Sequence, residues 1–234
     1  SKKMKKTSKQ KPPDPARRLE WCQRRCDTDW QKWLFSDEKY WTPEGVQGNE
    51  RMWVRKSDPF PAALYVGKSA HPPKIHVWGA ISYTGRSGLH VFEASVDSTE
   101  YCYALQEAFI PGLYDEEWLR LDRGTDYTFQ QDGASCHWSK QTLDWLKTHL
   151  PARIQVEPKG DWPARSPDFN LIEKVWAVLS NRVVERQPQT TAELIKVLVE
   201  EWWALPQETI QKLYDGMNKR ITHCIENDGG RFEH

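Results

Sequence analysis

The sequence predicts an α/β fold: a mixed β-sheet flanked by helices, with a Pro/Gly-rich insertion after the first strand and a helical C-terminus. Three observations lead there. Short apolar runs bounded by turn residues dominate the chain up to Gly133. From Asp97 onward, stretches of helical periodicity separate them, and beyond Asn170 only helical periodicity remains. At 234 residues, 38% apolar and 28% charged, the chain can bury a sizeable core. It has no apolar run of the ~18 residues that a membrane span needs and no leader with an apolar core. No membrane partner is expected.

The elements follow in order. Residues 1–16 read as a basic tail. Residues 1–18 hold eight Lys and Arg against Asp14, a net of +7, so the rest of the neutral chain carries −7. A solvated arm is the simplest reading; a nuclear-localisation or phosphate-contacting role is the alternative. Residues 17–32 form a linker and helix, with Leu19, Cys22, Cys26 and Trp30 along one face. Trp33-Leu34-Phe35-Ser36-Asp37-Glu38 reads as a buried strand with Asp37 at its C-terminal end. Residues 41–74 form the insertion, around a strand-like Arg51–Arg55. Ile75–Tyr83 and Leu89–Ala94 make a hairpin, and Asp97-Ser98-Thr99-Glu100 opens a helix that stops near Pro111-Gly112.

Tyr127–Gly133 is a strand that runs into a turn at Asp132. Ser139–Leu150 is an amphipathic helix with Leu143, Leu146 and Leu150 on one face, and Arg153–Val156 is a short strand. Asn170-x-x-Glu173 starts an apolar helix, Thr190-x-x-Glu193 caps the next, and a last helix opens near Pro206. The boundaries expected are 33–186 for the main domain and 187–234 for the C-terminal helices. Five cysteines at irregular spacing argue for reduced thiols in an intracellular protein. The chain begins at Ser rather than Met, which predicts a piece of a longer protein.

Three acids stand out by position: Asp37 and Asp132 where apolar strands end, and Glu173 on the first turn of an apolar helix. Sites in open α/β sheets form outside the carboxyl ends of strands. Three carboxylates without a histidine suit hard cations, Mg2+ or Mn2+. Two such ions together serve phosphoryl transfer. On residue chemistry alone the bland reading stands beside this one. Both Asp residues are ordinary after strands, and Asn170 with Glu173 resembles a capping box. Arg51, Arg55, Lys56, Arg86, Lys159 and Arg165 could touch phosphates, with a solvated surface as the default.

The segments Trp33-Leu34-Phe35-Ser36-Asp37-Glu38, Val77-Trp78-Gly79, Phe129-Gln130-Gln131-Asp132 with His137 five residues on, and Trp162 through Glu173 occur in this order. Together they resemble the catalytic domain of a mariner-superfamily DDE transposase, from about Arg17 to about Arg186. The resemblance implies a ribonuclease-H-like fold. It carries Asp37, Asp132 and Glu173 over as catalytic and metal-binding residues of a two-metal Mg2+ or Mn2+ site, with no small-molecule cofactor. It implies cleavage of double-stranded DNA at transposon ends, then transfer of the freed 3′-hydroxyl into target DNA, by a homodimer in the nucleus. Residues 41–74 fall where relatives carry a clamp-like insertion used in dimer assembly. His137 and Asp168 are further residues that could line the site.

This sequence departs from the family pattern at Gly133, where relatives have Asn, and at Leu171, where they have Pro. Forty residues separate Asp132 from Glu173 and thirty-five separate it from Asp168, the alternative third acid. The alternative function is a domesticated descendant that binds DNA or protein without strand transfer. A ribonuclease-H-like nuclease that hydrolyses without joining is a third.

Overall fold

A computed structural model describes residues 13–42, 74–93, 95–115 and 117–231. Most of the basic tail and of the insertion, with Arg51, Arg55 and Lys56, lie outside the described residues.

Five strands form one sheet in the order β3-β2-β1-β4-β5. They are β1 (Trp33–Trp41), β2 (Ile75–Ile81), β3 (His90–Phe92), β4 (Tyr127–Gln130) and β5 (Ile154–Val156). The expected hairpin is present: β1–β2 and β2–β3 pair antiparallel, whereas β1–β4 and β4–β5 pair parallel. This mixed sheet with flanking helices and a helical C-terminus is the ribonuclease-H-like arrangement expected.

Strand alternation divides the core in two. Trp33 and Phe35 of β1, with Ile75, Val77 and Ile81 of β2, face a cluster built on α1 (Pro15–Arg24), α5 (Leu171–Arg186), α6 (Thr191–Ala204), α7 (Gln207–Asp215) and α8 (Met217–Glu226). Leu34, Trp78, Ala80 and Phe129 face the other way, onto α2 (Ser98–Ala104), its π-helical extension Leu105–Phe109, α3 (Ile110–Tyr114) and α4 (Lys140–His149). The C-terminal helices therefore share one core with β1 and β2 and have no separate core of their own. Gly79, opposite Asp37 in the β1–β2 register, makes room for this packing. A Cβ there would come within 3.0 Å of the Trp176 ring.

Several helix starts are as expected. Asp97 accepts hydrogen bonds from the N–H groups of Thr99 and Glu100, Ser139 from Thr142, and Thr190 from Glu193. Other expectations are corrected. The helix of residues 17–32 begins at Pro15, capped by Asp14, and ends by Arg24, so Cys26 is exposed and Trp30 sits in a separate 3-10 turn. The helix after Asp97 runs on past Pro111 to Tyr114, because the wide π-turn directly before Pro111 absorbs the missing backbone donor. Leu143 is 40% exposed, and only Leu146 of that helix's apolar face is deeply buried. The last helix is two, α7 and α8, divided at Gly216.

Glu157 follows β5 and is buried beneath α1, where the Trp21 indole donates to it at 3.4 Å. Burial pushes its pKa up from 4.5 to about 7, although Arg25 pulls it down. The folded state thus holds a proton that the unfolded chain releases. That contribution is complete below about 4.5 and is lost as pH rises through about 7. Glu157→Gln, which mimics the protonated form, should stabilise the chain at pH 8 by roughly 3 kcal/mol and at pH 5 by less than about 1 kcal/mol. Urea denaturation at the two pH values checks this; an equal effect at both would refute it.

Candidate active site

The parallel pairing of β1 with β4 stops at Phe35↔Gln130. There β4 ends while β1 runs on to Trp41, and Asp37 and Asp132 both line the opening. Such a gap past the carboxyl ends of parallel strands is where α/β sheets place their sites. Asp37 is not at the end of its strand, as the apolar run suggested. It is the fifth of nine residues, because β2 continues to pair with β1 out to Trp41↔Ile75. Having the parity of Trp33 and Phe35, Asp37 points to the α5 face of the sheet.

The N-terminus of α5 is clipped onto the same place. Asn170 occupies the N-cap position but makes no side-chain cap, so the expected capping box is absent. Its Nδ2 instead donates to the Ser36 carbonyl (3.1 Å), while the Ser36 hydroxyl donates to the Gln130 carbonyl (2.8 Å). Helix, first strand and fourth strand are thereby tied together one residue from Asp37. Asp37, Asp132 and Glu173 open into a single cleft of about 610 Å³, with Trp138, Trp162 and Arg165 on its walls.

The acids repel one another. Burial, then Glu173, Glu38 and Asp132, raise the Asp37 pKa well above the usual carboxylate range. Burial raises Glu173 too, against the pull of Lys39 and Lys174. Asp132 goes the other way: burial is overcome by His137, and its pKa is lowered. Burial likewise opposes a proton on His137, yet contacts with Asp132 and Glu38 raise its pKa to about 10.

Among the described residues no three His, Cys, Asp or Glu side chains are close enough to form a ready-made metal cage. The donors nevertheless fit a hard divalent cation. They are carboxylate oxygens and they share a cleft. Mg2+ keeps several waters and is commonly held by one or two carboxylates together with substrate phosphates, so a complete protein cage is not required.

Neither of the two further candidates lines this cleft. Asp168 is 8% exposed and forms a bidentate pair with the fully buried Arg18, at 2.9 and 2.6 Å. His137, 3% exposed, stands behind Asp132: its Nδ1 lies 2.7 Å from Asp132 Oδ1 and its Nε2 3.1 Å from Glu38 Oε1. Arg86 does not face a phosphate either. It is buried and donates to the carbonyls of Trp202 and Leu205 at the C-terminal end of α6, where a cation complements the helix dipole. Glu38 went unnoticed in the sequence. Adjacent strand residues point to opposite faces, and only the position of His137 reveals what Glu38 meets.

No family model matches the chain. It is 30% identical over 218 residues to the Tc3 transposase of Caenorhabditis elegans, a match covering 91% of this chain. It spans 61% of the length of that relative. Among solved structures, the Mos1 transposase paired-end complex with the left transposon end is similar at a TM-score of 0.72 and 18% identity, covering 99% of this chain and 68% of that one. The Mos1 mariner paired-end complex with Mn is similar at a TM-score of 0.70, with the same identity and coverage. At such identity the structural likeness concerns the fold.

Proposed function

We propose, from the premise that this chain is homologous to the Tc1/mariner transposases, that it is the catalytic domain of a metal-dependent DNA transposase. Its substrates are the duplex ends of a transposon and a target duplex. The observation that carries this reading is the meeting of Asp37, Asp132 and Glu173 in one cleft where β4 ends beside β1. Asp37, Asp132 and Glu173 would hold the divalent cations, Mg2+ or Mn2+. The similar mariner complex with Mn supports that choice, and the Mos1 complex with a transposon end supports DNA as substrate. Bound there, the cations would supply Lewis acidity for phosphodiester chemistry.

The residues of this chain do the rest. Asn170 fixes the helix that carries Glu173 against the strand that carries Asp37. Trp138, Trp162 and Arg165 line the walls against which a nucleic-acid end would lie. Each chemical step exchanges one P–O bond for another. Water displaces the 3′-oxygen to leave a 3′-hydroxyl and a 5′-phosphate, and that hydroxyl then attacks a phosphorus of the target and expels the target's own 3′-oxygen as a hydroxyl. The commitment of Asp168 to Arg18 supports Glu173 as the third acid. The chain acts as a homodimer in the nucleus, with the lysines of residues 2–11 as its import signal.

The test is nicking of plasmid DNA that carries the element's ends. Nicks should appear with Mg2+ or Mn2+, vanish with chelator, and be followed by joined products when target DNA is added. Metal-dependent nicks without joined products would favour a hydrolytic nuclease instead. Chelator-resistant cleavage would overturn the assignment.

A further inference from the structure

Behind Asp132 the chain has built a polar cluster around His137, a residue that does not line the cleft. The His137 ring lies against the Tyr101 ring with centroids 4.0 Å apart. The His137 carbonyl accepts from Gln131 Nε2 at 3.1 Å, and the Gln131 Oε1 accepts from the Tyr101 hydroxyl at 2.9 Å. With Glu38 Oε1 3.1 Å from Nε2 and Asp132 Oδ1 2.7 Å from Nδ1, the imidazole sits between two carboxylates. Asp132 is gripped at one oxygen: Oδ1 meets His137 and also accepts from the Ala134 N–H at 2.9 Å. Its backbone carbonyl accepts from the Trp138 indole at 2.7 Å.

This arrangement has a physical cost. Glu38 and His137 are 13% and 3% exposed at their side chains, and burying charged or polar groups there gains less stability than an apolar filling would. Asp132, in contrast, sits on a turn past the end of β4 with half of its side chain in solvent. An unsupported carboxylate in that position would populate several rotamers. A carboxylate that must meet an ion in one orientation needs support from a rigid element, and β1 is such an element.

We propose that Glu38 is a positioning residue: acting through His137, it holds the Asp132 carboxylate in the orientation that receives a divalent cation. The inference rests on reading Asp132 as a metal-binding residue, and its test separates the two claims. Strand alternation gives the device its economy. One residue of β1, Asp37, faces the cleft, while the next, Glu38, reaches His137 on the opposite face of the sheet.

Mn2+ affinity of the whole chain, read by electron paramagnetic resonance of free Mn2+, is the direct measurement. Glu38→Gln keeps an oxygen that can accept from Nε2 and should bind Mn2+ within about threefold of the parent. Glu38→Leu keeps the bulk without the acceptor and should bind about 10-fold more weakly or worse. Its cleavage activity should return as Mn2+ is raised. Where Glu38→Leu does not fold, Glu38→Ala decides by the same criterion. Asp132→Asn is the control. If it binds Mn2+ as tightly as the parent, the reading of the cleft itself has failed. If Asp132→Asn loses Mn2+ while Glu38→Leu stays within threefold of the parent, the cleft reading stands and the role given to Glu38 is overturned.

Discussion

Asp37→Asn should abolish metal-dependent cleavage and, at the same time, make the metal-free chain more stable. The loss should be at least about 10³-fold, ~4 kcal/mol of transition-state stabilisation, because a neutral amide binds a divalent cation poorly and provides little charge for it. The gain comes from the same geometry. Burial and the neighbouring charges of Glu173, Glu38 and Asp132 hold the Asp37 pKa well above the usual carboxylate range. A carboxyl with a raised folded pKa contributes stability in its protonated form, and that contribution disappears as pH rises through the raised value. The advantage of Asn over Asp should therefore grow with pH.

At pH 8 without metal, Asp37→Asn should melt a few degrees higher than the parent. Asp132→Asn should lose cleavage equally but melt lower, since it removes the carboxylate that pairs with His137 at 2.7 Å. Thermal melts in chelator and single-turnover nicking in Mn2+ check both. Equal stability shifts for the two variants would refute the electrostatic account. Retained cleavage in either would remove that acid from the site.

Much of the fold was legible because its signals are local. Caps at Asp97, Ser139 and Thr190 depend on a polar side chain within three residues of an N–H group, and a sequence contains that information. The strands of the hairpin were legible as apolar runs around a Gly-containing loop. Asp37, Asp132 and Glu173 were singled out by their places on strands and helix, but the cleft that joins them was not visible. It arises from the register of β1 on β4, a contact across nearly a hundred residues of chain. The departures are those in which a distant partner overrides a local rule. Asn170 looks like a cap and is instead bonded to Ser36; Pro111 looks like a stop and is absorbed by a π-turn. Arg86 looks like a surface cation and is taken by the end of α6. Glu38 was invisible for the same reason, since its partner His137 comes from beyond β4.

Arg18→Met or Asp168→Asn should destabilise the fold more than any surface substitution, by about 3–5 kcal/mol each. Arg18 is fully buried between the two ends of the described chain. Its guanidinium holds both carboxylate oxygens of Asp168, donates to the carbonyls of Gly229 (2.9 Å) and Gly230 (3.1 Å), and lies 4.3 Å from the centre of the Phe169 ring. The chain is pressed so close there that a Cβ on Gly229, at φ +85, would fall 1.9 Å from the Pro15 carbonyl oxygen. Removing either charge takes the bidentate partner from the other in a site closed to water, where Arg220 also donates to the Asp168 carbonyl at 2.9 Å. A melting temperature about 10 °C lower is expected for a domain of this size. The double variant Arg18→Met/Asp168→Leu, which removes both members of the pair at once, should be more stable than the sum of its single changes implies. The same variants decide the third acid. Well below its melting temperature, Asp168→Asn should still nick DNA in Mn2+, because its carboxylate points into the core and away from the cleft. Glu173→Gln, whose carboxylate opens into the cleft, should not. Were Asp168→Asn folded but inactive and Glu173→Gln active, Asp168 would have to leave Arg18 to reach the ions, and the assignment of the third acid would reverse.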